Sequence, residues 1–442
     1  VSSRARAIAL PGGRQVGILD KLARIRGNTV GILRASLKNF ASVDAPMPSP
    51  LLILSDVHLS RAYGAETAIA LAHLIQKFPT SELILAGDIL DLSLDAPQLS
   101  YKESLRSALA PHHQLTSVLR EHVERGQKVT FIPGNHDSGL DSPEATQILR
   151  STLGCIDGQR VQVTPWFTRR GEIHIEHGHL YDPDCANNHP LAPPNPYSEG
   201  LGTALMRRFC SPNDALRFAH ANQVTPASGF LQAIESWGSR APLLINNYFR
   251  TAIKLCLEAA FHGERVERAK RQGAARLSRH AQLTGVSELD LRSLLVLAPE
   301  PTHTSFRATF LRLYFDRILA GGTALMGTSL ILAGTLEFVP HKVLLLGGLL
   351  LAGGVAYLVD NLLKKKNRYG NCVIDQLAAA AEGIRAITGS SLVVFGHSHV
   401  EVESPGYINL GSFGLSPEAR PYLIVDSNGQ ATKAHLLRDS TT

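Results

Sequence analysis

Two long runs without a charged side chain, residues 318–336 and 343–359, constrain this chain more than any other feature. Each approaches the roughly 20 apolar residues needed to cross the hydrocarbon core of a bilayer. Between them, Glu337 to Lys342 supplies a proline and charges, which makes a turn. Such runs back to back are unusual in water, so the sequence predicts a two-helix transmembrane hairpin over residues 318–360 rather than a buried pair in a large soluble core. Gly321, Gly322, Gly347, Gly348, Gly353 and Gly354 would let the two helices approach closely. Arg307, Arg312 and Arg317 precede the first run, and Lys364, Lys365, Lys366 and Arg368 follow the second. That pattern puts both ends at the cytoplasmic face and only the short turn across the membrane.

The rest of the 442-residue chain does not look like membrane protein, and its 44% hydrophobic content is ample for a buried core. A formal charge of +6 suits an acidic partner without choosing among nucleic acid, anionic lipid and phosphorylated metabolites. The five cysteines, Cys155, Cys185, Cys210, Cys256 and Cys372, are scattered and form no CxxC pair. This argues against a disulfide framework or a thiolate zinc site. Residues 1–49 form a basic N-terminal arm lacking the apolar core of a secretion signal; it reads either as an amphipathic membrane-surface segment or as a loosely ordered arm.

From residue 50 the pattern is α/β. The runs LLILSDVH, ELILAGD, KVTFIPGNHD and EIHIEHGH are short apolar strands ending in polar tips, with helical stretches near residues 64–77 and 101–125 between the first three. Strand character returns at SLVVFGHSHVE, followed by YINLGS and by PYLIVDSNGQATKAHLL, where Asn428 and Gly429 suit a hairpin turn. The expected plan is therefore one α/β catalytic domain split into residues 50–185 and 388–442. Between its halves lie a helical insertion at 186–317, the hairpin, and a return helix at 361–387.

Five motifs carry the chemistry: SDVH (Asp56, His58), GDILD (Asp88, Asp91), GNHD (Asn135, His136, Asp137), EHGH (His177, His179) and FGHSH (His397, His399). One such tip alone is more often an ordinary polar turn than a ligand set. Five in this order, each after an apolar strand, are a strong signal, because α/β proteins place their chemistry at the carboxyl ends of strands. In an extended segment, side chains two residues apart project the same way, so DxH and HxH would each offer two ligands to one cluster. Carboxylate, imidazole and amide oxygen suit Mn, Fe, Zn or Ni.

In these motifs the sequence resembles the calcineurin-like metallophosphoesterase superfamily, over roughly residues 50–182 and 390–440. The resemblance implies a β-sandwich flanked by helices and two divalent ions, with Mn favoured. By that likeness Asp56, His58, Asp88 and His399 hold one ion; Asp88 bridges to the second, which Asn135, His177 and His397 also hold. His136 stands beside the leaving group, oriented by Asp91. Two such ions, about 3.5–4 Å apart, can share a hydroxide nucleophile and stabilise both oxygens of an in-line displacement, while a protonated His136 can donate to the departing alkoxide. His179 competes with His177 as ligand, Asp182 and Asp184 read as turn or supporting residues, and Asn409 and Ser412 in YINLGSFG as support. His112, His113, His122, His220 and His280 lack ligand spacing and are expected at the solvated surface.

The topology fits this reading: four motifs precede the hairpin and the fifth follows it, so only an even number of crossings lets His397 and His399 join the site. The expected protein is a membrane-anchored dimetal phosphoesterase, in a bacterial inner membrane by the resemblance, with a cytoplasmic catalytic domain and a phosphorylated, lipid-linked substrate. The basic run with Arg265, Arg268, Lys270, Arg271, Arg276 and Arg279 would face lipid headgroups or a diphosphate, or form a solvated helix. The UDP-2,3-diacylglucosamine hydrolases of the superfamily are similar in their HGH tip and YINLGS ending. This chain departs from them in having His136 where they commonly have Arg, and in its hairpin, so their substrate stands as an alternative. A non-catalytic scaffold would have eroded ligands, and nucleic acid is disfavoured because no aromatic residues interleave with the basic ones.

Overall fold

The structure is a computed structural model that describes residues 49–438 apart from 97, 156–157, 214–234, 236, 262 and 364–371. The N-terminal arm, His220 and the Lys364–Arg368 cluster thus lie outside the described residues.

Eleven described strands form two sheets. They are β1 (Leu51–Leu54), β2 (Glu82–Ala86), β3 (Val129–Ile132), β4 (Val161–Val163), β5 (Phe167–Arg170), β6 (Ile173–Glu176), β7 (Leu392–Phe395), β8 (Glu401–Ser404), β9 (Tyr407–Leu410), β10 (Ala419–Val425) and β11 (Ala431–Leu437). One sheet has the order β11-β10-β1-β2-β3-β4, the other β5-β6-β7-β9-β8. In the first, β1 to β4 run parallel and β10 returns antiparallel beside β1, pairing Leu52 with Ile424. In the second, β6, β7 and β9 are parallel. Each sheet combines strands from before and after the hairpin, so neither half of the sequence completes a sheet alone. Short β4 and β5 have no counterpart in the sequence pattern, because VQV and FTRR carry too few apolar residues to stand out.

The sheets pack face to face. Leu51, Ile53, Ile84, Ala86, Ile132, Leu423 and Val425 of the first meet Ile173, Ile175, Val394, Ile408 and Leu410 of the second. Alternation sends Leu52, Leu54, Leu83, Leu85 and Phe131 to the opposite face. There α1 (Ala65–Lys77), α2 (Tyr101–Leu109), α3 (His113–Glu124) and α4 (Pro143–Thr152) cover them. Apolar layers on both sides explain why LLIL and VTFI are continuous apolar runs rather than alternating ones.

The insertion contributes α5 (Leu201–Leu205), α6 (Ala241–Phe261), α7 (Gly263–Ala274), α8 (Leu277–Thr284), α9 (Glu288–Leu297) and α10 (Phe306–Arg312). The hairpin is α11 (Phe315–Thr335) and α12 (Lys342–Leu363), and α13 (Cys372–Thr388) leads back into β7. Leu277, Leu291 and Leu294 join Leu377, Ala381 and Ile384 against Phe167, Val393 and Phe395 on the outer face of the second sheet. Part of the insertion is thus one of the four layers of an α/β/β/α sandwich.

A buried helical pair would hide its leucines, and the hairpin does not. Leu325 is 69% exposed, Leu345 73% and Leu349 64%. The two helices are long and apolar enough to cross a membrane, with mean hydropathies of 1.5 and 2.0. Their mutual packing uses a different glycine set from the expected one. Gly321, Gly322, Gly348 and Gly353 face open space, whereas Gly347 and Gly354 are joined at the contact by Gly327 and Gly334. A Cβ at Gly327 would lie 2.5 Å from Leu351 N and 2.6 Å from Gly347 O, so the backbones nearly touch there. At the foot of the pair the Tyr357 hydroxyl donates to Asp316 at 2.6 Å.

Three histidines expected at the surface are buried. His112 Nε2 donates to Ser60 O at 3.0 Å, and His122 Nε2 to Ser81 O at 2.9 Å, each tying a helix end to a loop. His280 stacks on Trp166 with ring centroids 5.7 Å apart. His113 is exposed.

Candidate metal centre

The five motifs follow the carboxyl ends of β1, β2, β3, β6 and β7, and parallel pairing within each sheet brings those ends to one edge of the sandwich. The ligand pairs do not project from extended chain, contrary to the expected period-two spacing. Asp56, His58, Asp88, His397 and His399 have φ of 55°, 54°, 51°, 67° and 56°, in the left-handed region. Alternating left-handed residues, not a pleat, turn Asp56 and His58 to the same side. Each such residue costs on the order of 1–3 kcal/mol, and strain of this kind persists where surrounding structure enforces a working geometry.

The first cluster is Asp56, His58 and His399. His58 Nδ1 donates to Asp91 Oδ1 at 2.8 Å, so in a neutral ring Nε2 keeps a lone pair. That nitrogen stands 3.1 Å from His399 Nε2 and 3.8 Å from Asp56 Oδ1, and His399 Nε2 lies 3.1 Å from the same oxygen. Asp56 Oδ1 is buried and receives no hydrogen bond. Burial opposes charge on His58, but the Asp91 and Asp56 carboxylates outweigh it and hold the imidazole well above its ordinary value.

The second cluster is Asp88, His177 and His397. His177 Nδ1 donates to Ala86 O at 3.1 Å, leaving Nε2 to face Asp88 Oδ2 at 3.2 Å and Asn135 Oδ1 at 3.3 Å. The Asn135 amide is turned that way because its Nδ2 donates to Thr203 Oγ1 of the insertion at 3.3 Å. Three acceptors thus confront one another unless a cation or a proton stands among them. Against the effect of burial, Asp88 and Asp56 push His177 up to about 9, a further sign that the space attracts positive charge. The donor set fits divalent ions: hard carboxylate and amide oxygens with borderline imidazole nitrogens, each imidazole fixed through its other nitrogen.

The nine side chains singled out from the sequence form one connected network. The His136 amide donates to Asp88 Oδ1 at 2.8 Å, and the His397 amide to Asp56 Oδ2 at 2.9 Å. Asp91 lies 3.3 Å from His136 Nδ1 but closer to His58, so it orients both. Ser93 Oγ shares a 2.8 Å hydrogen bond with His136 Nδ1, and the Tyr63 hydroxyl donates to Asp91. Burial lowers His136 despite Asp88 and Asp91, which favours the neutral ring. His179 stands aside, 5.4 Å ring to ring from His177, and belongs to neither cluster.

Three supporting residues carry more than the sequence disclosed. Asp137, the last residue of GNHD, accepts from Gly134 N at 2.6 Å and Ile89 N at 2.8 Å, stapling the third tip to the second. Asp182 Oδ2 meets His397 Nε2 at 3.0 Å, which leaves that ring's Nδ1 for the cluster. Asp184 donates its amide to Asp182 Oδ1 at 2.9 Å and pairs with Arg312, at the end of α10 just before the hairpin. Asn409 and Ser412 do act as support: Asn409 Nδ2 donates to Gly396 O at 2.7 Å, and Ser412 Oγ to Asp56 O at 2.8 Å. Asp182 supports the site as expected, but only folding reveals that its partner is His397, 215 residues away.

Beside the centre, a cavity of about 150 Å³ is bounded by Pro133, Gly134 and His179 on one side and by Arg265 and Arg268 of α7 on the other. The basic run thus divides: Arg265 and Arg268 line the cavity, whereas Arg276 donates to Asp141 at 2.8 Å.

Residues 49–225 match the family model described as calcineurin-like phosphoesterase. No curated protein matches the chain.

Proposed function

We infer, from a chain that carries a calcineurin-like phosphoesterase domain and is thereby a metal-dependent hydrolase, that it is a membrane-anchored dimetal phosphoesterase acting on a lipid-linked phosphoester. The observation that carries the hydrolytic part is the convergence of Asp, Asn and His side chains in two adjoining clusters, with facing nitrogen and oxygen atoms 3.1–3.3 Å apart. Asp56, His58, Asp88 and His399 would hold one divalent ion, and Asp88, Asn135, His177 and His397 the other; Mn is the favoured identity. When bound, such a pair supplies Lewis-acid stabilisation of the phosphoryl oxygens and lowers the pKa of water.

The protein's own groups do the rest. Asp88 has Oδ1 held by the His136 amide and Oδ2 facing His177, and as a carboxylate it would have an oxygen for each of two ions. His136 stands where a protonated ring would donate to a leaving alkoxide, and Asp91 sets its orientation and favours the charged form. Burial opposes that charge, and the two carboxylates offset it only in part.

The exposed apolar hairpin supports the anchor, because leucines that are more than half exposed along two packed helices form a surface suited to lipid. Arg312 and Arg317 beside its foot and the turn at its far end suit a cytoplasmic catalytic domain. Anchoring raises the effective concentration of substrate held in the same membrane.

The test is turnover by protein purified from detergent-solubilised membranes and loaded with Mn²⁺, on nitrophenyl phosphate, bis-nitrophenyl phosphate and a lipid-linked nucleotide diphosphate, with Asp88→Asn as blank. Metal-dependent turnover that is fastest on the lipid substrate and lost in the variant is the expected result. Folded, metal-loaded protein that turns over none of the three would defeat the reading.

A further inference from the structure

The apolar surface of the hairpin does not stop at its foot. Phe315, the first residue of α11, meets Phe310 of α10 with ring centroids 5.4 Å apart and Phe249 of α6 at 6.2 Å, and Phe310 stacks in turn on Phe306 at 5.7 Å. Tyr248 fixes α6 at the same place, its hydroxyl donating to Leu313 O at 3.4 Å. One face of α6, with Ala252, Leu255 and Cys256, packs against Leu201 and Leu313. The other carries an apolar ridge away from the foot. Phe249, Ile253, Leu257 and Phe261 recur every fourth residue, a spacing that stacks side chains along one side of a helix. Ile253 is 50% exposed, Leu257 52% and Phe261 82%. Neither the hairpin's crossing nor the hydrolytic centre uses this ridge.

Positive charge borders it. Arg250 and Lys254, each one residue beyond a ridge position, are exposed, and so is Arg307 beside Phe306. The sole carboxylate on α6 and α10, Glu258, is held by Arg208 at 2.6 Å. An apolar stripe edged with cations suits an anionic lipid surface, where the apolar groups enter the acyl boundary and the basic ones stay among the phosphates.

Length favours one orientation. At 1.5 Å per residue the ridge runs about 18 Å from Phe249 to Phe261, whereas the headgroup layer on one side of a bilayer is only about 5–8 Å deep. Pointed into the bilayer from Phe315, the ridge would carry Lys254 into hydrocarbon; pointed away, it would leave Phe261 in water. Lying along the surface avoids both.

Resting on the membrane-anchor reading above, we propose that α6 and the start of α10 lie in the headgroup layer of the membrane that the hairpin crosses and bind anionic phospholipid there. The hairpin fixes the catalytic domain at one point. The ridge adds a second line of contact and sets the domain's tilt.

The test places single tryptophans in the full chain, reconstituted with phosphatidylcholine alone or mixed with phosphatidylglycerol, and follows their emission as brominated lipids replace plain ones. Emission of the unsubstituted chain, from Trp166 and Trp237, is subtracted, and circular dichroism confirms folding. Bromines near the headgroup quench shallow tryptophans, and bromines deep in the acyl chains quench those in hydrocarbon. Phe261→Trp should lose at least half its emission to shallow bromines in the anionic mixture. That quenching should fall at least two-fold in phosphatidylcholine alone, and likewise when Arg250→Glu and Lys254→Glu are added. Leu437→Trp, exposed on edge strand β11, is the control and should keep its emission. Leu349→Trp on α12, with deep bromines, reports the anchor by itself. Quenching of Leu349→Trp without quenching of Phe261→Trp in anionic lipid overturns the proposal and leaves the anchor standing. Equal quenching of Leu437→Trp, or quenching indifferent to phosphatidylglycerol and to the glutamate variants, overturns it as well. So does a blue-shifted Phe261→Trp that bromines do not quench, in particles holding two chains, since the ridge then serves a second copy. If Leu349→Trp is not quenched, the anchor reading fails. Charge-dependent quenching of Phe261→Trp would then keep the lipid contact, and its absence would end both.

Discussion

Replacing Gly134 by Ala should disable the metal centre without removing a single ligand. The new Cβ would stand 2.3 Å from Asp88 Oδ1, 2.7 Å from Asp88 N and 2.8 Å from His177 Cδ2. Reaching ordinary contact requires the Asp88 carboxylate to retreat by roughly 1 Å, a displacement large enough to cost about 100-fold in rate when it misplaces a reacting group. The same shift would stretch the 2.8 Å hydrogen bond from the His136 amide beyond bonding range. A hydrogen bond to a charged group contributes about 1.5–3 kcal/mol, so a modest fall in melting temperature should accompany the loss. Coordination tolerates errors of only about 0.2 Å, so bound metal should drop from two ions toward one or none. Plasma mass spectrometry for metal content, nitrophenyl phosphate turnover and thermal unfolding check these effects together. Gly263→Ala is the control, because nothing lies within 4 Å of its added Cβ. Wild-type metal content and turnover in Gly134→Ala would refute both the close approach and Asp88 as the shared ligand.

Asp182→Asn should weaken metal binding about 10–100-fold by releasing His397, with restoration by Asp182→Glu; Co²⁺ titration followed by absorbance reads this without relying on turnover. Arg312→Ala, acting through Asp184, should move affinity the same way by less. His136→Gln should slow phenyl phosphate far more than nitrophenyl phosphate, since only the poorer leaving group needs a proton donor; equal slowing would deny His136 that role. Gly327→Ala should loosen the hairpin by about 1–3 kcal/mol in an SDS titration while Gly348→Ala does not, because only the former meets backbone. Burial lowers His280 to about 3, well below its ordinary value near 6.5, so the unfolded chain binds the extra proton between those values. The stability it contributes is therefore full above pH 6.5 and lost as pH falls toward 3. His280→Phe should remove that loss, and its advantage in urea midpoint over wild type should grow from pH 7 to pH 5.

Strand tips and the apolar hairpin were legible in the sequence because both are local. A run such as LLIL followed by SDVH declares a buried strand and its polar end within eight residues, and a charge-free stretch near the length of a bilayer declares itself without any partner. Histidines were not legible in the same way. His112, His122 and His280 have sequence surroundings like those of the exposed His113, and their burial depends on loops and rings supplied from elsewhere in the chain.

The sequence by itself determined which side chains could meet: five strand tips, the last separated from the others by an apolar hairpin whose ends return to the same place, can converge. Tertiary structure decided how they meet. Left-handed backbone at Asp56, His58, Asp88, His397 and His399 sets their direction, and no residue-type pattern announces it, because none of the five is glycine. The interlock of Gly327 with Gly347, the brace from Asp182 to His397 and the cavity between Gly134 and Arg268 each join segments distant in the chain. Such contacts depend on distances of a few tenths of an ångström between surfaces brought together only by packing, and a one-dimensional pattern carries no information at that scale.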